Sequence, residues 1–250
     1  MKGYEPVTAA WLGRVDYPEA WSLQRALFSS RLHGECGDIL MLLEHPPTYT
    51  LGRRALQDDV VYDEDQRRAR GISLYKVDRG GRATYHGPGQ LVGYPIMALG
   101  QRYDVISYLR KLEDVLIAAA ADLGVDAHRD ERHTGVWVND NKLAAIGVKV
   151  TSGITMHGFA FNVGTDLSMF EGIVPCGIAD RWVTSVEALT GAKTPMKEVA
   201  TMVAHHFARV FGRGLVWTHR DALATVADQR EGAVEVQGGT GPAPDYGRSG

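Results

Sequence analysis

A mixed α+β fold, with one sheet carrying both strand directions and helices packed on it, is what this sequence predicts. Three observations predict it. Strand-like runs gather in the middle of the chain, while helical patterns lie between and after them rather than alternating one for one. Residues 39–43 form an unbroken apolar run, which reads as a strand buried on both faces. Asn139-Asp140-Asn141 separates two strand-like runs and reads as a hairpin turn.

The elements follow in order. Asp16 can cap a helix with Pro18 and Glu19 in its first turn; Ala20, Leu23 and Leu27 recur at helical spacing until Gly34 stops it. After residues 39–43 comes His45-Pro46-Pro47, and then a charge-dense stretch, 58–70, that should be solvated as loop or exposed helix. A strand is expected over 73–78, a glycine-rich turn over 79–90 and another strand over 91–97. Asp104 caps a long helix running to Leu123 and closed by Gly124. Strands over 134–138, 142–150 and 154–163 follow, and Thr194-Pro195 opens a last helix ending near Gly212. The chain divides into one catalytic-size domain, 1–229, and a Gly- and Pro-rich tail, 230–250, with too little to bury for a fold of its own.

Composition narrows the function. The 250 residues carry 27 Lys plus Arg against 30 Asp plus Glu, a net charge of −3, which gives no general attraction to nucleic acid. No apolar run approaches the ~20 residues of a membrane span, and the N-terminus lacks the apolar stretch of a secretory signal. The expected compartment is the cytoplasm. Two cysteines, Cys36 and Cys176, make no disulfide framework and are expected as free thiols. With no HExxH and no cysteine pair, no metal is expected; there is no GxSxG elbow and no phosphate-binding glycine loop of known pattern.

Two segments hold chemistry-bearing residues. In Arg79-Gly80-Gly81-Arg82-Ala83-Thr84-Tyr85-His86-Gly87-Pro88-Gly89-Gln90 the glycines either serve a long turn or let the backbone approach a ligand while the polar side chains orient it. Cys176, between Pro175 and Gly177, is either a small buried hydrophobe or a loop nucleophile. A free thiol is only about 3% thiolate at pH 7, so a nucleophile here needs a neighbour; His86, His157, Lys142 and Lys149 are the candidates. Strict strand alternation puts Lys142 on one face with Ala144, Ile146, Val148 and Val150, where it either snorkels outward or sits in a dry pocket as a usable base. The same rule puts Lys149 with Ala145 and Gly147, His157 with Phe159 and Phe161, and Met156 with Gly158 and Ala160. The small residues among these leave either a groove for a slim apolar chain or room for close helix packing.

These residues have a familiar pattern. Arg79-Gly80-Gly81-x-x-Thr84-Tyr85-His86-Gly87-x-Gly89-Gln90-x-Val92-x-Tyr94 resembles the signature of the octanoyltransferases of lipoate biosynthesis. Gly135-Val136-Trp137 through Lys142-Leu143-Ala144-Ala145-Ile146-Gly147 is similar to that family's lysine hairpin. His157-Gly158-Phe159-Ala160-Phe161-Asn162-Val163 followed by Ile173-Val174-Pro175-Cys176-Gly177 is similar to its nucleophile region. The resemblance spans roughly residues 5–212.

The resemblance implies the mixed-sheet catalytic domain shared by biotin and lipoate protein ligases. It implies transfer of an octanoyl group from acyl carrier protein to a lysine of lipoyl domains, those of 2-oxoacid dehydrogenase acyltransferase subunits and of the glycine cleavage H protein. Cys176 would be the acyl-thioester nucleophile, with Lys142 lowering its pKa and handling protons. Arg79, Gly80, Gly81, Arg82, Ala83, Thr84, Tyr85 and His86 would line the substrate pocket, together with Ala145, Ile146, Gly147, Gly158, Phe159 and Ala160. His157 would be a supporting residue. No cofactor and no ATP are implied, nor nucleic acid or membrane. The rivals are an ATP-dependent lipoate or biotin ligase on the same fold, and a non-catalytic module binding acyl chains or acyl carrier protein. For an acidic carrier, a local basic face from Arg53, Arg54, Arg79 and Arg82 is expected.

Overall fold

The computed structural model describes residues 5–174 and 182–235, with side chains through 227. Eight strands form the main sheet, in the order β11-β1-β2-β6-β10-β9-β8-β7. They are β1 (Val7–Arg14), β2 (Ile39–Glu44), β6 (Gln90–Ile96), β7 (His128–Arg129), β8 (Val136–Val138), β9 (Asn141–Thr151), β10 (Ile154–Asn162) and β11 (Leu215–Trp217). Strand β1 is parallel to both neighbours, and every other pair is antiparallel, so the expected mixed sheet is present. A second sheet of β3 (Thr48–Leu51), β4 (Ser73–Lys76) and β5 (Ala83–His86) has the order β4-β3-β5.

Helices cover both faces of the main sheet. On one, Leu112, Leu116, Val203 and Phe207 of α3 (Val105–Asp122) and α5 (Met196–Phe211) pack on Leu40, Leu91, Phe159 and Phe161. On the other, Ala20 and Leu27 of α1 (Tyr17–Leu32) and Leu223 of α6 (Arg220–Glu235) pack on Met41, Val92 and Tyr94. The run at 39–43 is fully buried because it lies in mid-sheet between these two layers. Two short helices complete the chain, α2 (Glu64–Ala69) and α4 (Val186–Thr190).

Several expectations change. Helix α5 is not the last: α6 follows it and runs across residues 229–235, through the start of the expected tail. Residues 236–250 lie outside the described residues. The charge-dense stretch is solvated except at Asp59, which is fully buried and holds the Arg82 guanidinium, one contact being Arg82 Nε to Oδ2 at 3.0 Å. The glycine-rich segment is not one long turn, because its middle forms β5 and pairs antiparallel with β3.

Candidate active site

The cleft lies between the small sheet and the surface of β9 and β10. Its roof is the segment Arg79 to Thr84 together with His86; its floor is formed by Lys142, Ala145, Ile146 and Gly147 of β9 and Gly158, Phe159 and Ala160 of β10. Tyr17, Tyr94, Thr134 and His157 complete the lining. The cavity has a volume of about 60 Å³. So narrow a channel suits a slim chain better than a bulky ring.

The roof is pinned on both sides. Backbone N–H groups of Gly52, Arg53 and Arg54 donate to the carbonyls of Arg82, Arg79 and Gly81, and Gly80 N–H donates to Val148 O at 2.9 Å. The approach is close enough that a Cβ on Gly52 would come within 2.5 Å of Gly81 O, so only glycine fits there. Arg79 is buried; its guanidinium donates to Thr50 O at 2.6 Å, to Thr50 Oγ1 and to Gly80 O. The expected basic face therefore loses two of its four members: Arg79 is turned inward, and Arg82 is held by Asp59. Arg53 and Arg54 are exposed.

Two of the lining residues depart from strict alternation. The pairing of β8 with β9 shifts between Val136–Ala144 and Trp137–Lys142, and Leu143 and Ala144 both face the α3/α5 core. This irregularity turns Lys142 to the cleft beside Ala145 and Gly147, away from the face of Ala144, Ile146 and Val148. Lys142 is 7% exposed, and its Nζ sits 4.6 Å from the centre of the Trp137 ring. Its backbone N–H donates to Trp182 O, and its carbonyl accepts from Thr184 N, both at 2.9 Å. The second departure is His157, whose φ of 56° within the continuous β10 brings its imidazole to the cleft rather than to the face of Phe159 and Phe161.

Three buried histidines border the cleft, His86 in its roof, His157 in its lining and His45 behind His86. His45 Nδ1 contacts Val15 O at 2.6 Å, so that nitrogen carries the proton, and Nε2 accepts from Tyr94 OH at 2.8 Å. Burial pushes its pKa down to about 4, so it is neutral at pH 7. His86 bridges Gln90 Oε1 at 2.9 Å and Thr50 Oγ1 at 3.2 Å; burial, with His45 and Arg79 nearby, holds it well below the usual histidine range. Gln90 Nε2 passes the network on to Tyr85 O and Asn162 Oδ1. His157 Nε2 meets Asp78 Oδ1 at 2.7 Å, and Asp78 also takes Lys149 Nζ at 2.6 Å. Desolvation lowers the His157 pKa, while the His157 and Lys149 contacts hold Asp78 well below the usual carboxylate range. Desolvation raises Tyr17 and Tyr94.

Of the residues singled out in the sequence, the structure brings together Lys142, His157 and every candidate lining residue except Tyr85. Tyr85 points the other way, into the small sheet's own core with Tyr49 and Phe170, where burial raises its pKa to about 12. Cys176 lies outside the described residues. Sequence reasoning missed Tyr17, Tyr94 and Thr134 in the lining and His45 beneath it. Tyr94 carried a signal, since it falls on the same side of β6 as Val92 and Ile96 and was part of the quoted motif. Among the described residues no group of three or more His, Cys, Asp or Glu side chains could hold a metal.

A helix-covered mixed sheet with a narrow cleft over one hairpin is the architecture of a protein ligase catalytic domain. Residues 16–208 match the lipoyl protein ligase A/B catalytic domain. A lipoate-protein ligase A solved with ATP superimposes at a TM-score of 0.74, with 19% identity over 92% of this chain and 94% of that one. The biotin protein ligase of Aquifex aeolicus, with biotin and ATP, gives 0.51 at 15% identity over 85% and 71%. At such identities these two show the fold alone. A relative from Rubrobacter xylanophilus named Octanoyltransferase is 50% identical over 202 residues, covering 80% of this chain and 91% of its own. The chain belongs to the octanoyltransferase family within that domain class.

Proposed function

We propose that this protein transfers an octanoyl group from acyl carrier protein to a lysine of lipoyl domains, through a thioester on Cys176. The observation that carries the reading is Lys142, nearly buried at the edge of a narrow apolar-floored cleft in a chain of this family.

The chemistry balances without ATP. The Cys176 thiolate attacks the acyl carbonyl, the carrier's C–S bond breaks and a new C–S bond forms, with little change in energy. The acceptor amine then attacks this thioester, an amide forms and the Cys176 sulfur leaves, a downhill step. Lys142 acts as proton acceptor for the thiol and the incoming amine. His86 in the lining is neutral, so it adds no charge beside an apolar chain. The acceptors are lipoyl domains of 2-oxoacid dehydrogenase acyltransferase subunits and glycine cleavage H protein, and the setting is the cytoplasm. No helix among the described residues is long and apolar enough to cross a membrane.

The test is intact mass after incubation with octanoyl–acyl carrier protein, for wild type, Cys176→Ser and Lys142→Met. One hydroxylamine-sensitive octanoyl group on Cys176, discharged to an added lipoyl domain, is the expected result. Lys142→Met should slow both loading and discharge at least a hundredfold, the usual scale of general acid–base assistance being about 10²–10⁴. Lipoyl-domain modification by Cys176→Ser with free octanoate and ATP would sink the thioester route in favour of a ligase.

A further inference from the structure

The inner end of the cleft is closed by groups that are held unusually firmly. His157 is 1% exposed and carries a left-handed φ of 56°, a costly conformation for a side chain of its size. That conformation persists because the surroundings fix it: its N–H donates to Gln24 Oε1 at 3.0 Å and its Nε2 is tied to Asp78. Had β10 kept its alternation, the imidazole would lie in the α3/α5 core with Phe159, so the break is what puts a side chain at the end of the cleft. The Tyr94 ring stands beside it, edge to face at 6.5 Å.

The roof comes down at the same place. Gly80 bonds Val148, and a Cβ on Gly147 would come within 2.9 Å of Gly80 O. Val148 is the register partner of His157, and Gly147 that of Gly158. The channel therefore runs from Lys142 past Ala145 and Ala160 to Gly147 and Gly158, and stops at His157.

Its length can be compared with an acyl chain. From Lys142 to Gly147 with one residue absorbed in the bulge, the strand advances about 13 Å at roughly 3.3 Å per residue. An extended eight-carbon acyl group measures about 9 Å from carbonyl carbon to methyl, given C–C bonds of about 1.5 Å. The difference leaves room for the thioester at the Lys142 end, whereas two further carbons would bring the methyl against the imidazole.

We propose that His157, held by Asp78, is the end wall of the acyl channel and sets the chain length that this protein accepts. This rests on the transfer reading above. The experiment offers an equimolar mixture of hexanoyl-, octanoyl-, decanoyl- and dodecanoyl–acyl carrier protein with a lipoyl domain, and reads the acyl groups on the product by mass. His157→Ala should raise the decanoyl-to-octanoyl ratio about tenfold or more, on the scale of one or two methylenes in a fitted pocket. Ala160→Val, placed midway along the floor, should raise the hexanoyl-to-octanoyl ratio instead. A residue that merely holds the fold would lower all chain lengths together and leave the ratios in place. Ratios within about twofold of wild type would overturn the proposal; should His157→Ala not fold, His157→Asn and Ala160→Val decide it by the same reading. A wild-type protein that transfers no chain of any length would instead overturn the transfer reading, and the end wall with it.

Discussion

Arg79 does its work facing inward. Its planar fork spans Thr50 O and Thr50 Oγ1 and returns to Gly80 O, so one side chain ties the roof loop to β3. Lysine offers a point charge and no fork. Arg79→Lys should therefore loosen the roof, cutting transfer at least tenfold and destabilising the fold by about 1–3 kcal/mol. An unchanged rate together with an unchanged denaturant midpoint would show that the fork is dispensable. At this scale the motif drew attention to these side chains but not to which way they point. Arg79, Tyr85 and Arg82 lie within seven residues of one segment; the first is bonded within the cleft roof, the second faces the small core and the third a buried aspartate. Those directions depend on β5 pairing with β3, a contact between residues more than thirty apart that local pattern does not encode. His157 was misdirected for a related reason: alternation assumes a β-region backbone, and Gln24, on a distant helix, stabilises the exception.

Elements were legible where they were long and periodic or bounded by turn chemistry. Helices α1, α3 and α5, the β8–β9 hairpin and the buried β2 all follow from their own residues. Strands β3, β5 and β11 are three or four residues long, too short to show a period, and β1 mixes alanines with Gly13 at φ 68° rather than alternating. They exist because neighbours supply the hydrogen bonds. The β9–β10 connection makes a checkable point. Ser152 and Gly153 form a two-residue loop with φ of 51° and 74°, the turn that prefers Asn-Gly. Ser152→Asn should stabilise the hairpin that carries Lys142 and His157 by a few tenths of a kcal/mol, raising Tm by about 1–2 °C. A lower Tm in calorimetry would mean that Ser152 has a role beyond its backbone angle.

The whole molecule is built around a buried polar seam, where α1, the main sheet and the small sheet meet over His45, His86 and His157. Stacked Tyr17 and His86, with Tyr94 bonded to His45, join all three layers there. Each histidine titrates below its unfolded value of about 6.5, because burial disfavours the imidazolium. The unfolded chain therefore binds protons that the folded chain refuses, and acid favours unfolding. For His45 this stability is whole above pH 6.5 and is lost as pH falls to about 4, some 3 kcal/mol in all at about 1.4 kcal/mol per unit. Asp78 acts in the same direction at lower pH: its carboxylate is held down by His157 and Lys149, so its contribution persists at neutral pH and is lost on acidification below the ordinary carboxylate range. The Tm should thus fall steeply between pH 6.5 and 4.5. His45→Gln, which keeps a polar side chain and removes one titration, should have a lower Tm at pH 7 but a shallower descent, its curve converging on wild type towards pH 4.5. Parallel curves would place the acid sensitivity elsewhere than in this seam. The same seam explains why the cleft can be both dry and polar. Its charged groups are held within the protein, Arg79 by Thr50 and Gly80 and Asp78 by His157 and Lys149, so an apolar chain can lie against it without stripping water from an unpaired charge.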